Sequence, residues 1–222
     1  MSSLIIGVGE IGQALYKVLS PFYPTFTYDK EYPAPDPTWL PQVDILHICF
    51  GYSPTFIEDV KAYQKQYSPK FTIIHSTVPT GTSRQCGAIH SPVIGQHPFL
   101  CEGLKTFPKM LGGKDASEVA DYFRRAGFKV ILFDKPETTE ASKLFLTEYY
   151  RECIEFAKRV KSYTDKHGLN FSEVYTIPNT IYNEGYKQLG YPEFVRPILQ
   201  PIMTPVGGHC VEPNKELIKQ SE

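Results

Sequence analysis

The apolar residues fall first into short runs and later into one long helical stripe. Ser3-Leu4-Ile5-Ile6 predicts a short buried strand, and Gly7 to Gly12 follows it at once. Gln13 to Leu19 has helix-forming character. Thr25 to Tyr28 predicts a second strand, which ends in Asp29. Asp44 to Phe50 predicts a third. Thr55 to Tyr67 predicts a helix with Phe56, Val60 and Tyr63 on one face, and Phe71 to His75 a fourth strand. Ala88 to Ile94 and Lys129 to Phe133 read as further strands, with a helix over Ala116 to Ala126 between them and Gly127 at its C-cap. Pro33, Pro35, Pro37 and Pro41 mark a loop. Strands alternating with helices predict an α/β fold, a Rossmann-type doubly wound and mostly parallel sheet.

After Pro136 the pattern changes. No Gly or Pro occurs from Thr138 to His167, and Phe145, Leu146, Tyr149, Cys153, Phe156, Val160 and Tyr163 recur at helical spacing. A long helix over about 138–167 is expected, stopped by Gly168, with shorter helices after it broken by Pro178, Gly190 and Pro192. The chain thus divides into a sheet domain, 1–135, and a helical segment, 136–222.

Composition narrows the function classes. The 222 residues are 41% hydrophobic and 21% charged, an ordinary globular mix. Basic residues number 23 and acidic ones 24, for a net charge of −1, so neither a nucleic-acid partner nor a membrane surface is expected. Cysteines stand at 49, 86, 101, 153 and 210, with no CxxC spacing. That pattern fits neither a zinc site nor a disulfide framework, so reduced thiols in a cytoplasmic protein, and no metal, are expected. No secretory signal and no membrane span is expected.

Gly7-Val8-Gly9-Glu10-Ile11-Gly12 lies between a predicted strand and a predicted helix. The first glycine allows a tight turn, the second lets the backbone approach a pyrophosphate, and the third lets helix and strand pack closely. The helix N-terminus offers N–H groups and a positive dipole end to the phosphates. Asp29 stands about twenty positions on, where an acid accepts hydrogen bonds from the ribose hydroxyls. This favours NAD over NADP, with neighbouring Lys30 as the feature that argues the other way. A flavin or a methyl-donor cofactor is the rival. The loop after the third strand, with Gly51, Ser53 and Pro54, is expected at the ligand-binding end of the sheet.

Near the end stands Gly207-Gly208-His209-Cys210, a thiol flanked by glycines that let a substrate approach. Three more segments precede it in order: Ser76-Thr77-Val78-Pro79-Thr80-Gly81, then His97-Pro98-Phe99-Leu100-Cys101-Glu102-Gly103, then Lys143-Leu144-Phe145-Leu146-Thr147. Together with the glycine loop they resemble the UDP-glucose/GDP-mannose dehydrogenase family, and Gly-Gly-His-Cys is most like the branch that oxidises UDP-N-acetylhexosamines. The resemblance runs from residue 4 to about 214.

That resemblance implies an NAD-dependent oxidoreductase acting twice on the primary alcohol of a nucleotide sugar. Cys210 would form a thiohemiacetal and then a thioester. Lys143 would stabilise oxyanion charge or assist proton transfer. Glu102 would handle protons during hydrolysis, and Thr77 would position the reacting water or substrate and lie beside the cofactor. The match departs at Thr147, where the family has asparagine, and at Asn214, where it has an acid. His97-Pro98-Phe99 also lacks a counterpart for one family glutamate. The chain ends at Glu222, so a form lacking the UDP-binding domain is expected. The resemblance also implies a homodimer through residues 140–165. Two alternatives stand beside this reading. One is a two-electron dehydrogenase of the 6-phosphogluconate or 3-hydroxyacid type, which uses Lys143 without Cys210. The other is a non-catalytic NAD-binding module that pairs with another subunit.

Overall fold

A computed structural model describes residues 1–31, 42–95, 99–201 and 211–221. Pro33, Pro35, Pro37, Pro41 and His97 lie outside the described residues, as does the segment from Pro205 to Cys210. The chain forms two compact units, Met1–Leu144 with Leu217–Glu222, and Phe145–Glu216.

Among the described residues the first unit holds seven strands: β1 (Ser3–Ile6), β2 (Thr25–Tyr28), β3 (Ile45–Ile48), β4 (Phe71–Ile74), β5 (Ile89–His90), β6 (Lys109–Gly112) and β7 (Val130–Phe133). They form one sheet in the order β2-β1-β3-β4-β5-β6-β7. All neighbours are parallel except β5 and β6, which meet antiparallel where His90 faces Gly112. The chain leaves β1 for β2 on one side and returns to β3 on the other. Such a reversal opens a crevice at the carboxyl ends of the strands.

The central strands are mostly apolar because both faces of the sheet are covered. Ile5, Ile45, Ile73 and Ile89 pack with Leu15 and Val18 of helix α1 (Glu10–Leu19) and with Val119 and Phe123 of helix α5 (Ala116–Arg125). Leu4, Ile6, Leu46, Ile48 and Ile74 pack on the opposite side with Phe56, Val60 and Tyr63 of helix α2 (Phe56–Tyr67). Each such side chain taken fully from water contributes about 1.5–3 kcal/mol before chain entropy is set against it.

Three sequence expectations are corrected here. The strand expected over Ala88 to Ile94 is only Ile89–His90, because the carbonyls of Ser91 and Val93 accept side-chain donors instead of ladder bonds. Strand β6 was not expected, since Lys109-Met110-Leu111-Gly112 is short and opens on a charge. Pro178 does not break a helix. It sits in the first turn of helix α7 (Ile177–Gln188), where a missing N–H is tolerated, directly after a π-helical turn at Ser172–Thr176. Helix α3 (Thr82–Gln85), helix α4 (Leu100–Thr106) and helix α8 (Val211–Lys219) were likewise not foreseen.

The long helix is α6 (Pro136–Lys166). Its buried residues include Thr139, Glu140 and Leu144 in the first unit and Ile154, Ala157 and Thr164 in the second. The aromatic stripe points the other way: Phe145, Tyr149, Phe156 and Tyr163 are 62%, 61%, 50% and 57% exposed. In the second unit Tyr175 is buried and donates its hydroxyl to the Pro197 carbonyl at 3.0 Å. The Asn183 side chain clamps the Arg196 backbone through bonds of 2.9 and 2.8 Å. A cleft of about 600 Å³ in this unit is lined by Cys153, Phe156, Arg159, Tyr175, Asn179 and Arg196. No helix among the described residues is long and apolar enough to cross a membrane.

Two glycine substitutions separate packing from ligand approach. A Cβ on Gly12 would lie 1.9 Å from the Gly7 carbonyl oxygen, whereas one on Gly9 would meet nothing within 4 Å. Gly12→Ala is expected to lower stability by about 2 kcal/mol or more, read from urea denaturation, although Ala is the better helix former. Gly9→Ala should stay within about 1 kcal/mol of the parent.

Candidate functional site

The glycine loop is held by the backbone. Gly7 adopts φ +93°, and a Cβ there would lie 2.7 Å from the Phe50 nitrogen, so the turn after β1 passes directly against the turn after β3. The Gly7 N–H donates to the Tyr28 carbonyl at 2.9 Å, and the Cys49 N–H to Ile6 at 2.8 Å. Gly9 is the N-cap of α1 and brings no side chain to it. The N-cap residue therefore places no side chain over the first turn of α1, and a glycine N-cap is the arrangement that lets an anion approach a helix N-terminus.

Asp29 is drawn onto this loop. Its Oδ2 accepts the Val8 N–H at 2.6 Å and its Oδ1 accepts the Glu31 N–H at 3.0 Å. A carboxylate has about four acceptor positions, so two N–H bonds leave capacity for the hydroxyls of a ribose. Lys30, the residue that argued for NADP, extends instead to Asp59 of α2 at 3.0 Å. The loop after β3 carries Gly51, Ser53 and Pro54, and the Ser53 carbonyl accepts the first N–H of α2 at 3.0 Å. Gly51 and Pro54 are exposed and Ser53 is half-buried. Ser76, after β4, donates its hydroxyl to the Phe50 carbonyl at 2.5 Å. Half-buried Thr77 is next in the chain. The glycine loop, Asp29, the Gly51–Pro54 loop and Thr77 therefore share the carboxyl end of the parallel strands.

The remaining expected residues are placed differently. Lys143 lies in the second turn of α6, and its Nζ donates to the Val93 carbonyl at 3.0 Å. Glu102 is exposed on α4 and, among the described residues, makes no hydrogen bond to Lys143 or Thr77. Cys210 lies outside the described residues.

Sequence reasoning missed a buried polar chain beneath the crevice. Ser3 meets the Tyr122 hydroxyl at 2.7 Å, Tyr122 meets His47 Nε2 at 3.2 Å, and His47 Nδ1 meets His75 Nε2 at 2.9 Å. His75 Nδ1 lies 2.7 Å from the Ser91 carbonyl, which also accepts Lys109 Nζ at 3.2 Å. A carbonyl only accepts, so His75 Nδ1 carries the proton. His47 then donates to His75, Tyr122 to His47 and Ser3 to Tyr122. The direction is the same throughout, and both imidazoles are neutral. Burial agrees with this: it pushes His47 to about 3, holds His75 well below its ordinary range, and brings Lys109 from 10.5 to about 7. His90 belongs to a neighbouring pair. Its Nδ1 meets Thr139 at 2.8 Å and its Nε2 meets the Ser76 carbonyl at 3.2 Å, and burial lowers it to about 3. Cys49 is half-buried as a residue, yet burial of its thiol raises it to about 12. The signal for all of these was a histidine or lysine interrupting a strand buried on both faces.

No protein-family model and no curated protein matches the chain. Solved structures match it in fold. UDP-D-ManNAc dehydrogenase from Pyrococcus horikoshii superposes with a TM-score of 0.79 at 18% identity, over 99% of this chain and 64% of that one. UDP-N-acetyl-mannosamine dehydrogenase from Staphylococcus aureus gives 0.70 at 16% identity, over 100% and 66%. 3-Hydroxyisobutyrate dehydrogenase from Mycobacterium tuberculosis gives 0.61 at 13%, over 80% and 69%. The fold is therefore a Rossmann-like α/β fold, which these dehydrogenases share. The likeness to the Pyrococcus structure extends over nearly all of this chain, which spans 64% of the length of that protein.

Lys109 makes stability depend on pH. Its folded pKa lies below its ordinary 10.5, so between about pH 7 and 10.5 the unfolded chain holds a proton that the folded one lacks. Stability then rises with pH. The buried thiols of Cys49 and Cys86 oppose this only above about pH 9, where the unfolded thiols ionise. The urea midpoint is expected to climb from pH 7 to 8.5 in the parent and to stay flat in Lys109→Met.

Proposed function

We propose that the chain is an NAD-dependent oxidoreductase acting on a primary alcohol, similar to nucleotide-sugar 6-dehydrogenases. The observation that carries this is the Val8 N–H to Asp29 carboxylate bond of 2.6 Å, which sets an acid suited to a ribose beside a helix N-terminus whose N-cap is glycine. Gly7, Gly9, Glu10, Ile11 and Gly12 surround the pyrophosphate, and Asp29 binds the adenosine ribose. Gly51, Ser53, Pro54 and Thr77 line the remainder of the cofactor cleft. The engagement of Lys30 with Asp59 favours NAD over NADP.

When bound, the cofactor supplies a hydride acceptor. Lys143 holds the ammonium donor that stabilises alkoxide charge as the substrate loses hydride. The Cys210 thiolate would add to the aldehyde carbon, Lys143 would hold the oxyanion of the resulting thiohemiacetal, and its oxidation to a thioester would use the hydride-accepting chemistry that a second bound NAD would supply. Water, with Glu102 taking its proton, then releases the acid and the thiol. The substrate class, a UDP-sugar, is suggested by the likeness to UDP-sugar dehydrogenases. A reducing compartment, the cytoplasm, suits the free thiols of Cys49, Cys86, Cys101 and Cys153. The exposed aromatic stripe of α6 supports a homodimer through residues 140–165.

The likeness to 3-hydroxyisobutyrate dehydrogenase favours a second reading, a two-electron dehydrogenase using Lys143 alone. A non-catalytic NAD-binding module paired with another subunit is the third. NADH formation from NAD with UDP- and GDP-sugars separates them. The first reading predicts about two NADH per sugar, lost in Cys210→Ser. Turnover that survives Cys210→Ser supports the second reading, and NAD binding without turnover supports the third. Light scattering at micromolar concentration should report twice the chain mass, and the double substitution Tyr149→Ser, Phe156→Ser should return it to the monomer value.

A further inference from the structure

The start of α6 is tied down at three successive points. The Thr139 hydroxyl meets buried His90, and Gly112 leaves room for it: a Cβ there would lie 2.6 Å from Thr139 Oγ1. Lys143 Nζ reaches the Val93 carbonyl. Between them stands Glu140, which is 1% exposed. Its Oε2 accepts the Gly81 N–H at 2.6 Å and its Oε1 accepts the Ser83 N–H at 2.7 Å. Gly81 and Ser83 close the loop that begins at Ser76-Thr77. One turn earlier Glu137 pairs with Arg84 of α3 on the outside.

A buried carboxylate is a costly cap. Desolvation raises its pKa, and α3, the element it caps, has only four residues. A neutral Ser or Asn would satisfy one N–H at lower cost. What a carboxylate adds is a fork that grips two amides at once and so fixes distance and angle. Glu140 lies three residues before Lys143 and therefore on the same side of the helix.

We propose that Glu140 is a positioning residue. By bridging the Gly81 and Ser83 amides it fixes the turn of α6 that carries Lys143 against the loop that carries Thr77. The proposal rests on the reading of Lys143 as a catalytic group.

The test uses the full chain with Glu140→Gln, which replaces one acceptor by an NH2 group, and Glu140→Asp, which keeps the charge and shortens the reach. Lys143 is titrated by competitive acetylation read by peptide mass spectrometry, with exposed Lys65 as internal reference. Hydrogen exchange follows the Gly81 and Ser83 amides, with Ile5 and Ile45 reporting the sheet. Both variants are expected to change the Lys143 labelling rate about threefold or more, and to lower kcat about tenfold with KM for NAD unchanged. Gly81 and Ser83 should lose protection while Ile5 and Ile45 keep theirs. Loss of protection at Gly81 and Ser83 with unchanged Lys143 labelling would make Glu140 a merely structural cap and overturn the proposal. Loss of protection at Ile5 and Ile45 in both variants would overturn it as well, since Glu140 would then hold the fold. If Lys143→Met retains turnover, the catalytic reading of Lys143 falls. The labelling arm still decides whether Glu140 places it.

Discussion

The Gly7 carbonyl approaches Gly12 so closely that even a methyl group could not be inserted, and the other side of Gly7 rests on the Phe50 backbone. From this double contact the upper end of the sheet takes its form. It turns the chain sharply from β1 into α1 and points the helix N-terminus at the crevice. It also brings the β3 turn alongside and leaves the Val8 N–H facing the end of β2, where Asp29 accepts it. Side chains at either glycine would push β1 from α1 or from β3, and the crevice is the gap between those elements. The middle glycine, Gly9, is unconstrained by the protein, as a position reserved for an approaching ligand would be.

Beneath the crevice the sheet departs from its apolar rule. Ser3, His47, His75 and Lys109 bring polar atoms into a layer covered by α1 and α5. Each unpaired one would cost about 1–3 kcal/mol. A single direction of donation satisfies the chain from Ser3 to the Ser91 carbonyl while both imidazoles are neutral. Adding a proton to His47 or His75 would place a charge in a desolvated layer that already holds Lys109. The layer is therefore stable as a neutral set, and Lys109, with no carboxylate beside it among the described residues, is the member that responds first to pH.

The sequence made much of this legible where pattern and geometry coincide. β1, β2, β4, α2 and the long helix were visible because runs such as Leu4-Ile5-Ile6 and the spacing of Phe56, Val60 and Tyr63 follow directly from burial. The glycine loop and Asp29 were visible because their residue types answer backbone requirements. Other features depend on contacts far apart in sequence. β6 is a strand because β7 and β5 flank it, not because Lys109-Met110-Leu111-Gly112 favours one. The stripe of Phe145, Tyr149, Phe156 and Tyr163 has the spacing of a buried face, yet the buried residues include Leu144, Ile154 and Ala157 instead. Periodicity gives the helix without its orientation. Glu140 carried no local signal, since its partners, Gly81 and Ser83, are backbone amides more than fifty residues away.

This difference explains how a likeness in fold survives at 18% identity. The glycine-loop half of the proposed site is made of main-chain groups: glycine turns, helix N–H groups and one carboxylate tied to an amide. Nearly every other side chain can change without disturbing it. The half that carries Lys143 is made of side-chain contacts, through His90, Thr139 and Glu140, and each depends on a specific partner. Substitutions over evolution should therefore preserve the geometry of the glycine loop longer than they preserve the position of Lys143. Chemistry and substrate choice are expected to diverge at the start of α6 before the glycine loop changes.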